Sequence, residues 1–472
     1  MEKSETEKNK WIVFFVVGVG VFMSTLDGSI VNIALPTIMK DLSASLLTIE
    51  WVMMIYLLTV SSLLLSFGRL SDIKGRRWIY TRGLAVFSAG SLFCGMASTA
   101  FWLIAARSFQ GVGAAMIMSC TQAIIIESFP VWERGKAMGM LGAVVASGLT
   151  CGPALGGWIL HVFSWQTIFY INIPIGIVTA FAGARLLKGG KADICRTESF
   201  DLAGAILLAI TTGSFLYIIT HGHDWGYLHP SIICLMTACI ISFAGLIWEQ
   251  FQVEHPLLNP SLLKIRLFTM PVLAAMILFS SLFTIVFLMP FFLIYPCGFS
   301  PKITGYIMVT PFIFLFIFAP ISGTLSDRIG SRFLCTVGMI ILTVSFFFMA
   351  KLSPEYSKLS IAWPLALAGI GIAIFTGPNN ATAMSAVPPE YMGVSAGTVA
   401  TVRNLGMVLG IALSGAIFNN VFHDLSGGLN LKVYKPELKP IFMEAFSYAM
   451  MAGGIVAGIG VIITYLRGPE IK

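Results

Sequence analysis

The chain has 472 residues, of which 57% are hydrophobic and only 11% are charged. This composition is typical of an integral membrane protein, and it leaves no room for a soluble domain. The net charge of +7 does not indicate a nucleic-acid partner, because Lys and Arg collect in the loops between apolar segments.

Apolar runs of about twenty residues are long enough to cross a hydrocarbon core of roughly 30 Å. They predict fourteen membrane spans, at 11–34, 46–67, 78–98, 101–126, 137–160, 167–187, 202–220, 231–248, 269–295, 303–325, 333–350, 362–386, 397–421 and 442–466. The bias of Lys and Arg places both termini in the cytoplasm. The first run is too long for a signal-peptide core, so we expect it to remain in the protein.

The first predicted span contains a carboxylate, Asp27. A charge at the centre of a membrane helix costs roughly 2.5 to 3.5 kcal/mol on insertion scales, so such a residue indicates a functional site. Its simplest function is to bind a proton. Thr25, Ser29 and Asn32 form a second polar face of the same helix. We therefore expect this helix inside the bundle, where Asn32 could contact substrate.

Two segments of the chain recur at long range. Gly68–Asp72 resembles Gly323–Asp327 at an offset of 255 residues, and 129–139 resembles 387–397 at an offset of 258. The chain is therefore predicted to contain two copies of a six-helix unit, an N-terminal bundle at 1–187 and a C-terminal bundle at 269–472. Residues 188–268 form a linker and two inserted spans. Transporters built from parallel six-span halves bind substrate near the membrane midplane, between the halves.

The fourth predicted span has one polar stripe, formed by Arg107, Gln110, Ala114 and Thr121. Arg107 and Asp27 fall at similar depth in the outer half of the membrane. Opposite charges about 4 Å apart attract by roughly 4 kcal/mol at an effective dielectric near 20. We therefore expect Arg107 or a cationic substrate to exclude the proton from Asp27, and an open pair in a dry cavity to bind one. The alternative is a permanent salt bridge that only joins two spans.

The fifth predicted span is rich in small residues. Gly152 and Gly156 have the spacing that lets membrane helices approach closely, and Pro153 bends the helix. With Gly148 and Gly157, they predict a close, bent contact between the two halves. The alternative is that these glycines only reflect the high glycine content of membrane helices.

The candidate substrate residues are polar or aromatic side chains within predicted spans, which suit flat, cationic or amphipathic compounds. They are Asn32, Trp51, Tyr56, Gln110, Asn172, Phe283, Phe287, Asn379 and Asn380. For any single Phe, ordinary core or lipid contact is the alternative. Arg403 is expected to reach the inner surface with its long side chain, or to contact substrate or lipid.

Several motifs together resemble the fourteen-span drug:proton antiporter family of the major facilitator superfamily. They are Gly68–Arg77 with its second copy Gly323–Arg332, Leu26–Pro36, Arg107–Gly113, Gly148–Gly157, Phe169–Gly176 and His255–Leu258. The resemblance implies a cytoplasmic gate formed by Asp72, Arg76, Arg77, Asp327 and Arg328. Trp51, Tyr56 and Asn172 also match family positions.

This sequence departs from the family pattern at Gln166, where Arg is common. It also lacks Asp and Glu in the middle of spans nine to fourteen, which makes dicationic substrates less favourable.

We therefore expect an all-α membrane protein of the major facilitator fold that exports small amphipathic or cationic compounds in exchange for protons, by alternating access. Export of a specific metabolite, lipid or siderophore is the first alternative, and a non-transporting membrane sensor or channel is a remote one. The sequence has no phosphate-binding loop of the ATPase type, so the energy for transport must come from an ion gradient. We also expect no enzymatic activity and no cofactor. Substrate, protons and the lipid bilayer are the expected partners of a monomer in the cell membrane.

Cysteine usage predicts neither disulfides nor a metal site. Of the eight Cys, only Cys195 and Cys297 fall in predicted loops, and these loops lie on opposite faces of the membrane.

Overall fold

A computed structural model describes residues 2–130, 133–187, 202–226, 228–252, 262, 264–388 and 391–468. The linker 188–200, Cys195 and the His255–Leu258 motif lie outside these residues. In the described ranges, all regular secondary structure is helical. The α-helices are α1 Glu2–Asp41, α2 Leu46–Lys74, α3 Arg76–Gly95, α4 Ala100–Ser128, α5 Arg134–Val162, α6 Thr167–Tyr170, α7 Asn172–Leu186, α8 Leu202–Trp225, α9 Pro230–Gln252, α10 Arg266–Ile294, α11 Pro301–Ile329, α12 Ser331–Met349, α13 Lys358–Ser385, α14 Met392–Leu425 and α15 Lys439–Tyr465.

Twelve of the described helical segments are long and apolar enough to cross a membrane. The two remaining long helices are α3 and α8. In α3, Arg76, Arg77 and Arg82 lower the mean hydropathy, and in α8 the apolar stretch Ile206–Gly222 is short. We call the membrane side where α1 begins and α15 ends the terminal side, and the opposite side the far side.

The junctions after α2 and after α11 have the same local structure, and each is formed by a glycine. Gly75 is the single residue between α2 and α3, with φ of 92°, and Gly330 is the single residue between α11 and α12, with φ of 90°. A positive φ is readily available only to glycine. Gly68–Arg77 falls between the predicted spans 46–67 and 78–98, so the sequence predicts a loop there, and this prediction is wrong. Residues 68–74 continue α2, because they keep the helical hydrogen bonds and Gly75 alone makes the turn.

The hydrophobic core is continuous on the far side and divided on the terminal side. We call α1–α7 the first half and α10–α15 the second half. One large cluster joins residues of both halves, including Ile38, Met53, Phe291 and Ile307. On the terminal side, a second cluster around Val17 and Phe87 lies within the first half, and a small third cluster around Phe268 lies within the second. The two halves therefore share their packing mainly on the far side.

Two helix pairs provide most of the packing between the halves. In the first pair, α5 packs on α11, where a Cβ at Gly157 would lie only 2.5 Å from the Pro301 carbonyl oxygen. In the second pair, α2 packs on α14 from Leu65 and Gly397 near the terminal side to Glu50 and Gly415 near the far side. Helices α8 and α9 pack on each other, and α8 also packs on α2 and α14.

Candidate functional site

Asp27 lies at the centre of a buried polar cluster formed by several helices of the first half. Its side chain is completely buried. Arg107 Nη1 of α4 donates to Asp27 Oδ2 at 2.5 Å, and the two form an ion pair. Gln110 Nε2 and Asn172 Nδ2 donate to Oδ1 at 3.0 and 2.9 Å. Both carboxylate oxygens are thus bound by donors from α4 and α7.

Arg107 makes further contacts with α2 and with its own helix, in addition to its ion pair with Asp27. Its Nε donates to the Val52 carbonyl oxygen at 3.2 Å, and its Nη1 also donates to Gln110 Oε1 at 2.6 Å. The guanidinium carbon lies 4.1 Å from the centre of the Tyr56 ring, a cation–π geometry. These contacts fix the orientation of the guanidinium group, so the ion pair has one well-defined geometry.

The donor set matches an ionised carboxylate. An ionised Asp only accepts hydrogen bonds, whereas a protonated Asp must donate one. Around Asp27, the three neighbouring side chains of Arg107, Gln110 and Asn172 all donate to it. Gln110 also donates to Ser91 Oγ at 2.8 Å, which orients its amide. Adding a proton to Asp27 would therefore require at least one of these donors to move.

The second polar face of α1 packs against the glycines of α5. Ser29 Oγ donates to the Gly148 carbonyl oxygen at 3.1 Å. A Cβ at Gly148 would overlap Thr25 Oγ1, and one at Gly152 would overlap Ser29 Oγ. A Cβ at Gly156 would lie 2.8 Å from Ile30 Cγ1. The close contact predicted for these glycines therefore lies within the first half, and only Gly157 and Pro153 reach α11 of the second.

Comparisons with known proteins agree with this architecture. The family model of the Major Facilitator Superfamily matches residues 17–411. The chain belongs to the major facilitator superfamily. The predicted superfamily is therefore confirmed, and the protein is a membrane transporter rather than an enzyme.

Curated relatives of this transporter differ in the substrates that their names give. The riboflavin transporter RibZ of Clostridioides difficile is 37% identical over 87% of this chain and 89% of its own. The multidrug resistance protein Stp of Mycobacterium tuberculosis is 29% identical over 87% and 76%. The multidrug transporter protein MdtP of Bacillus subtilis is 29% identical over 97% and 83%.

A solved structure shows the same fold. A bacterial homologue of the human lysosomal transporter Spinster, in an inward-facing and unoccupied conformation, aligns with a TM-score of 0.71. Its sequence identity is 16%, and the alignment covers 97% of both chains.

The structure distributes the predicted substrate residues of the transporter over several places. Gln110, Asn172 and Tyr56 belong to the Asp27 cluster, whereas Trp51 packs on Tyr217 of α8 with ring centroids 5.9 Å apart. Asn32 is buried on α1, and its Oδ1 has no hydrogen-bond partner among the described residues.

The candidates in the second half lie apart from the Asp27 cluster. Phe283 and Phe287 are buried in the shared core. Asn379 Nδ2 donates to the Pro271 carbonyl oxygen at 2.9 Å, a contact within the second half, and Asn380 is exposed. Arg403 lies 5.5 Å from the centre of the Phe279 ring. The sequence alone did not distinguish these packing contacts from a common substrate surface.

The predicted gate residues lie at the terminal ends of α2, α3 and α11. Arg76 pairs with Asp72 at 3.0 Å and with Glu127 of α4 at 2.6 Å. Arg77 donates to the Ala184 carbonyl oxygen. These contacts join helices of the first half. In the second half, Arg328 is exposed, and the side chain of Asp327 lies outside the described residues.

Sequence reasoning missed a second buried acid, Glu50. It is the fifth residue of α2, its side chain is completely buried, and neither carboxylate oxygen has a hydrogen-bond partner among the described residues. The signal was the one that identified Asp27, a lone acid inside a predicted span.

Proposed function

We propose that this transporter exports small amphipathic or cationic compounds in exchange for protons, by alternating access, with Asp27 as the proton carrier. The observation that carries the proposal is the Asp27 cluster, in which a fully buried carboxylate is bound by Arg107, Gln110 and Asn172. A carboxylate within a membrane helix is costly and is a functional group by default. The names of the multidrug relatives support the substrate class.

Proton binding and the observed geometry exclude each other. The carboxylate accepts hydrogen bonds from three neighbouring side chains, so a protonated Asp27 could not keep all of these contacts. Protonation would also remove the attraction that holds Arg107 at 2.5 Å. Arg107 would then turn toward its remaining partners, the Val52 carbonyl oxygen, Gln110 Oε1 and the Tyr56 ring. The cluster thus has an ionised, closed arrangement and a protonated, loosened one.

Exchange follows if a cationic substrate group competes with the proton for Asp27. In a loosened cluster that is shielded from water, desolvation favours the neutral, protonated carboxyl. Substrate binding then displaces the proton, and the return of the empty carrier brings a new one. The paired arrangement in the structure represents the stage at which Arg107 occupies the carboxylate.

The proposal includes fourteen spans, with α3 and α8 among them. In α3, Arg76, Arg77 and Arg82 lie in the first two turns, at the terminal surface, so most of the helix remains apolar. We propose that the terminal side faces the cytoplasm, because the loops there carry most of the Lys and Arg. In this orientation, Asp72, Arg76, Arg77, Asp327 and Arg328 would form the cytoplasmic gate of a protein of the cell membrane.

Transport of a specific metabolite is the second candidate function. It is favoured by the 37% identity to a protein named as a riboflavin transporter, which exceeds the 29% identity to the multidrug relatives Stp and MdtP. Riboflavin is flat and aromatic, so it would also suit the rings of a cavity selected for planar compounds. The two candidates share the proton site and differ in substrate selectivity.

Flux measurements in proteoliposomes test the proposal. With an acidic lumen, the wild-type protein should concentrate a lipophilic cation dye inside, and Asp27→Asn should abolish this accumulation. The matched control is Asp41→Asn, on the same helix, because an amide oxygen can still accept the hydrogen bond from Trp165 Nε1. We expect this control to stay within about twofold of wild type, as for surface substitutions.

The outcomes separate the candidates. Dye accumulation that persists in Asp27→Asn would show that the coupling proton binds elsewhere. Movement of riboflavin without movement of dye would favour the metabolite transporter. Downhill flux that is indifferent to the pH gradient in the wild-type protein would exclude proton coupling altogether.

A further inference from the structure

Glu50 is a buried carboxyl group without a hydrogen-bond donor. The side chain is completely buried, and neither Oε1 nor Oε2 has a partner among the described residues. An ionised carboxylate in such a place costs several kcal/mol even after the surroundings relax. A neutral carboxylic acid of the same shape avoids most of this cost. The site therefore suits the protonated form of Glu50.

The carboxyl group fills a gap between the two halves of the transporter. A Cβ at Gly415 of α14 would overlap Glu50 Oε2, lie 3.0 Å from its Cδ and lie 3.3 Å from Phe287 Cε1 of α10. Glu50 thus occupies the space where residue 415 has no side chain. Because α2 belongs to the first half and α14 to the second, the carboxyl group lies directly on their joint surface.

The two helices of the second half that meet at Glu50, α10 and α14, carry no charged residue near it. Along α14, no ionisable residue lies between Arg403 and His423. At 1.5 Å per residue, these are roughly 18 and 12 Å from Gly415 along the helix. Along α10, no ionisable residue lies between Arg266 and Tyr295. The partner side of the joint with α14 therefore has no ionisable residue near Glu50.

The first half and the inserted helix contribute few titratable groups near this joint. On α1 and α4, Asp27 and Arg107 are bound to each other. On α8, His221 stacks on Tyr217 at 4.2 Å and shares a hydrogen bond with Thr220. Tyr217 in turn contacts Trp51, the residue after Glu50.

The remaining charged groups of these helices lie at their ends. Lys40 and Asp41 end α1 on the far side. Arg76 and Arg77 of α3 lie at the terminal end, where α2 ends at Lys74, roughly 36 Å from Glu50 at helical rise, and Arg82 lies within the first two turns of α3. No cation of these helices has a contact with Glu50 in the described part of the chain.

We propose that Glu50 is a second proton-binding site, whose protonated form holds the far side closed between α2 and α14. When the two helices separate there, water reaches the carboxyl group and the proton leaves. When they close again, the carboxylate must take up one proton before Gly415 can cover it. The proton enters and leaves on the far side, so this site adds nothing to the number of protons transported.

The proposal makes a signed prediction about pH. Closing takes up one proton, so the equilibrium constant for closing falls up to tenfold for each unit by which pH rises, by proton linkage. The proposal rests on the proposed function only in assuming that the two halves separate on the far side during transport. Its test does not require substrate or flux.

Hydrogen–deuterium exchange of the full-length protein in nanodiscs, without substrate, provides this test. The peptides of interest cover the far-side ends of α2 and α14, residues 42–56 and 411–428. After correction for the intrinsic rate, wild-type protection of these peptides should fall from pH 5 to pH 8 by up to tenfold per unit. Glu50→Gln, a neutral side chain of the same size, should stay protected at all of these pH values.

Two further variants keep the result interpretable. Gly415→Ala should displace the carboxyl group and lower protection throughout the pH range, and the double variant Glu50→Ala/Gly415→Ala should restore it. Asp27→Asn should retain the pH response, although it abolishes coupled transport under the proposed function.

Three results would overturn the proposal. They are a wild-type protein without pH response, an equal response in Glu50→Gln, and loss of the response in Asp27→Asn, which would assign it to the Asp27 cluster. Failure of Asp27 as the transport carrier would leave the exchange result unchanged, so the two proposals fail separately.

Discussion

Asp27 and Glu50 are both completely buried acids in the first half, but their surroundings differ. Asp27 accepts hydrogen bonds from Arg107, Gln110 and Asn172, all within one bundle. Glu50 has no hydrogen-bond partner among the described residues and lies against Gly415 of the other bundle. The first environment favours a charged carboxylate, whereas the second favours a neutral acid.

This difference follows the architecture of the transporter. Contacts within a bundle can persist while the two bundles move, so an ion pair there can be kept or exchanged for substrate. Under the proposed alternating access, contacts between bundles must form and break. A neutral, unpaired acid at such a joint breaks contact without separating opposite charges. The location of each acid thus agrees with its proposed role.

Loss of Arg107 gives the largest expected effect. Arg107→Leu leaves the Asp27 charge buried without its partner, which costs about 3 to 5 kcal/mol in comparable buried pairs. Asp27→Asn should also destabilise, and the double variant should lose less stability than the sum of the single variants. Equilibrium unfolding in mixed detergent micelles measures these free energies.

Glu50→Gln is the matched control for this comparison. No ion pair is lost at Glu50, so we expect a change in unfolding free energy of under about 1 kcal/mol, within the range of replacements that break no contact. If Arg107→Leu were equally mild, the two acids would not differ in the way that their contacts indicate. If instead Glu50→Gln were as costly as Arg107→Leu, Glu50 would have an undetected partner.

A single amide donor to Asp27 should matter less than Arg107. Asn172→Leu removes the 2.9 Å hydrogen bond to Oδ1 and nearly conserves the side-chain volume. A hydrogen bond to a charged group contributes about 1.5 to 3 kcal/mol, and Gln110 remains as a donor. We expect a loss in this range, measured by the same unfolding assay.

Asn32→Leu is the control for that substitution. Asn32 is also a buried amide, but its Oδ1 has no partner among the described residues. Replacing it should therefore be close to neutral. An equal loss of stability in both variants would show that any buried Asn in this bundle contributes as much as the one that contacts Asp27.

Much of this arrangement could be predicted from the sequence. Composition and hydropathy indicated a helical membrane protein, and the lone Asp27 with the polar stripe of Arg107 and Gln110 identified the residues that lie together. The sequence also showed that Gly68–Asp72 resembles Gly323–Asp327, and the junctions that follow these segments are alike, since Gly75 and Gly330 both have a positive φ near 90°. These features are local or periodic, so they are visible in a linear sequence.

The remaining features depend on which helix faces which. The glycines of α5 mark a close contact, but their spacing does not say whether the partner is α1 or α11. From the sequence, Trp51 could face a central cavity or helix α8. Only its packing on Tyr217 shows that the side chain faces α8. Glu50 could have been identified as a candidate from the sequence, since an acidic residue within a predicted span is already unusual.

The smallest disturbance of the protein is chemical labelling of the natural thiol of Cys297, which reports on the far side without any substitution there. Cys297 follows α10 and packs against the shared far-side core. Burial raises the pKa of this thiol to about 12, against a weaker opposing effect of Lys439. The thiolate is the reactive form, so a raised pKa slows alkylation near neutral pH. From the fractions of thiolate at pH 8, we expect the reaction to be on the order of a thousandfold slower than for an ordinary thiol with a pKa near 8.5. Mass spectrometry of the Cys297 peptide measures its rate. Gly415→Ala should accelerate this reaction if it opens the far side, whereas Gly152→Ala, which disturbs α1 and α5 within one bundle, should not. Fast alkylation in the wild-type protein would mean that the far side is open at rest, and Glu50 would then be hydrated rather than enclosed between the two halves.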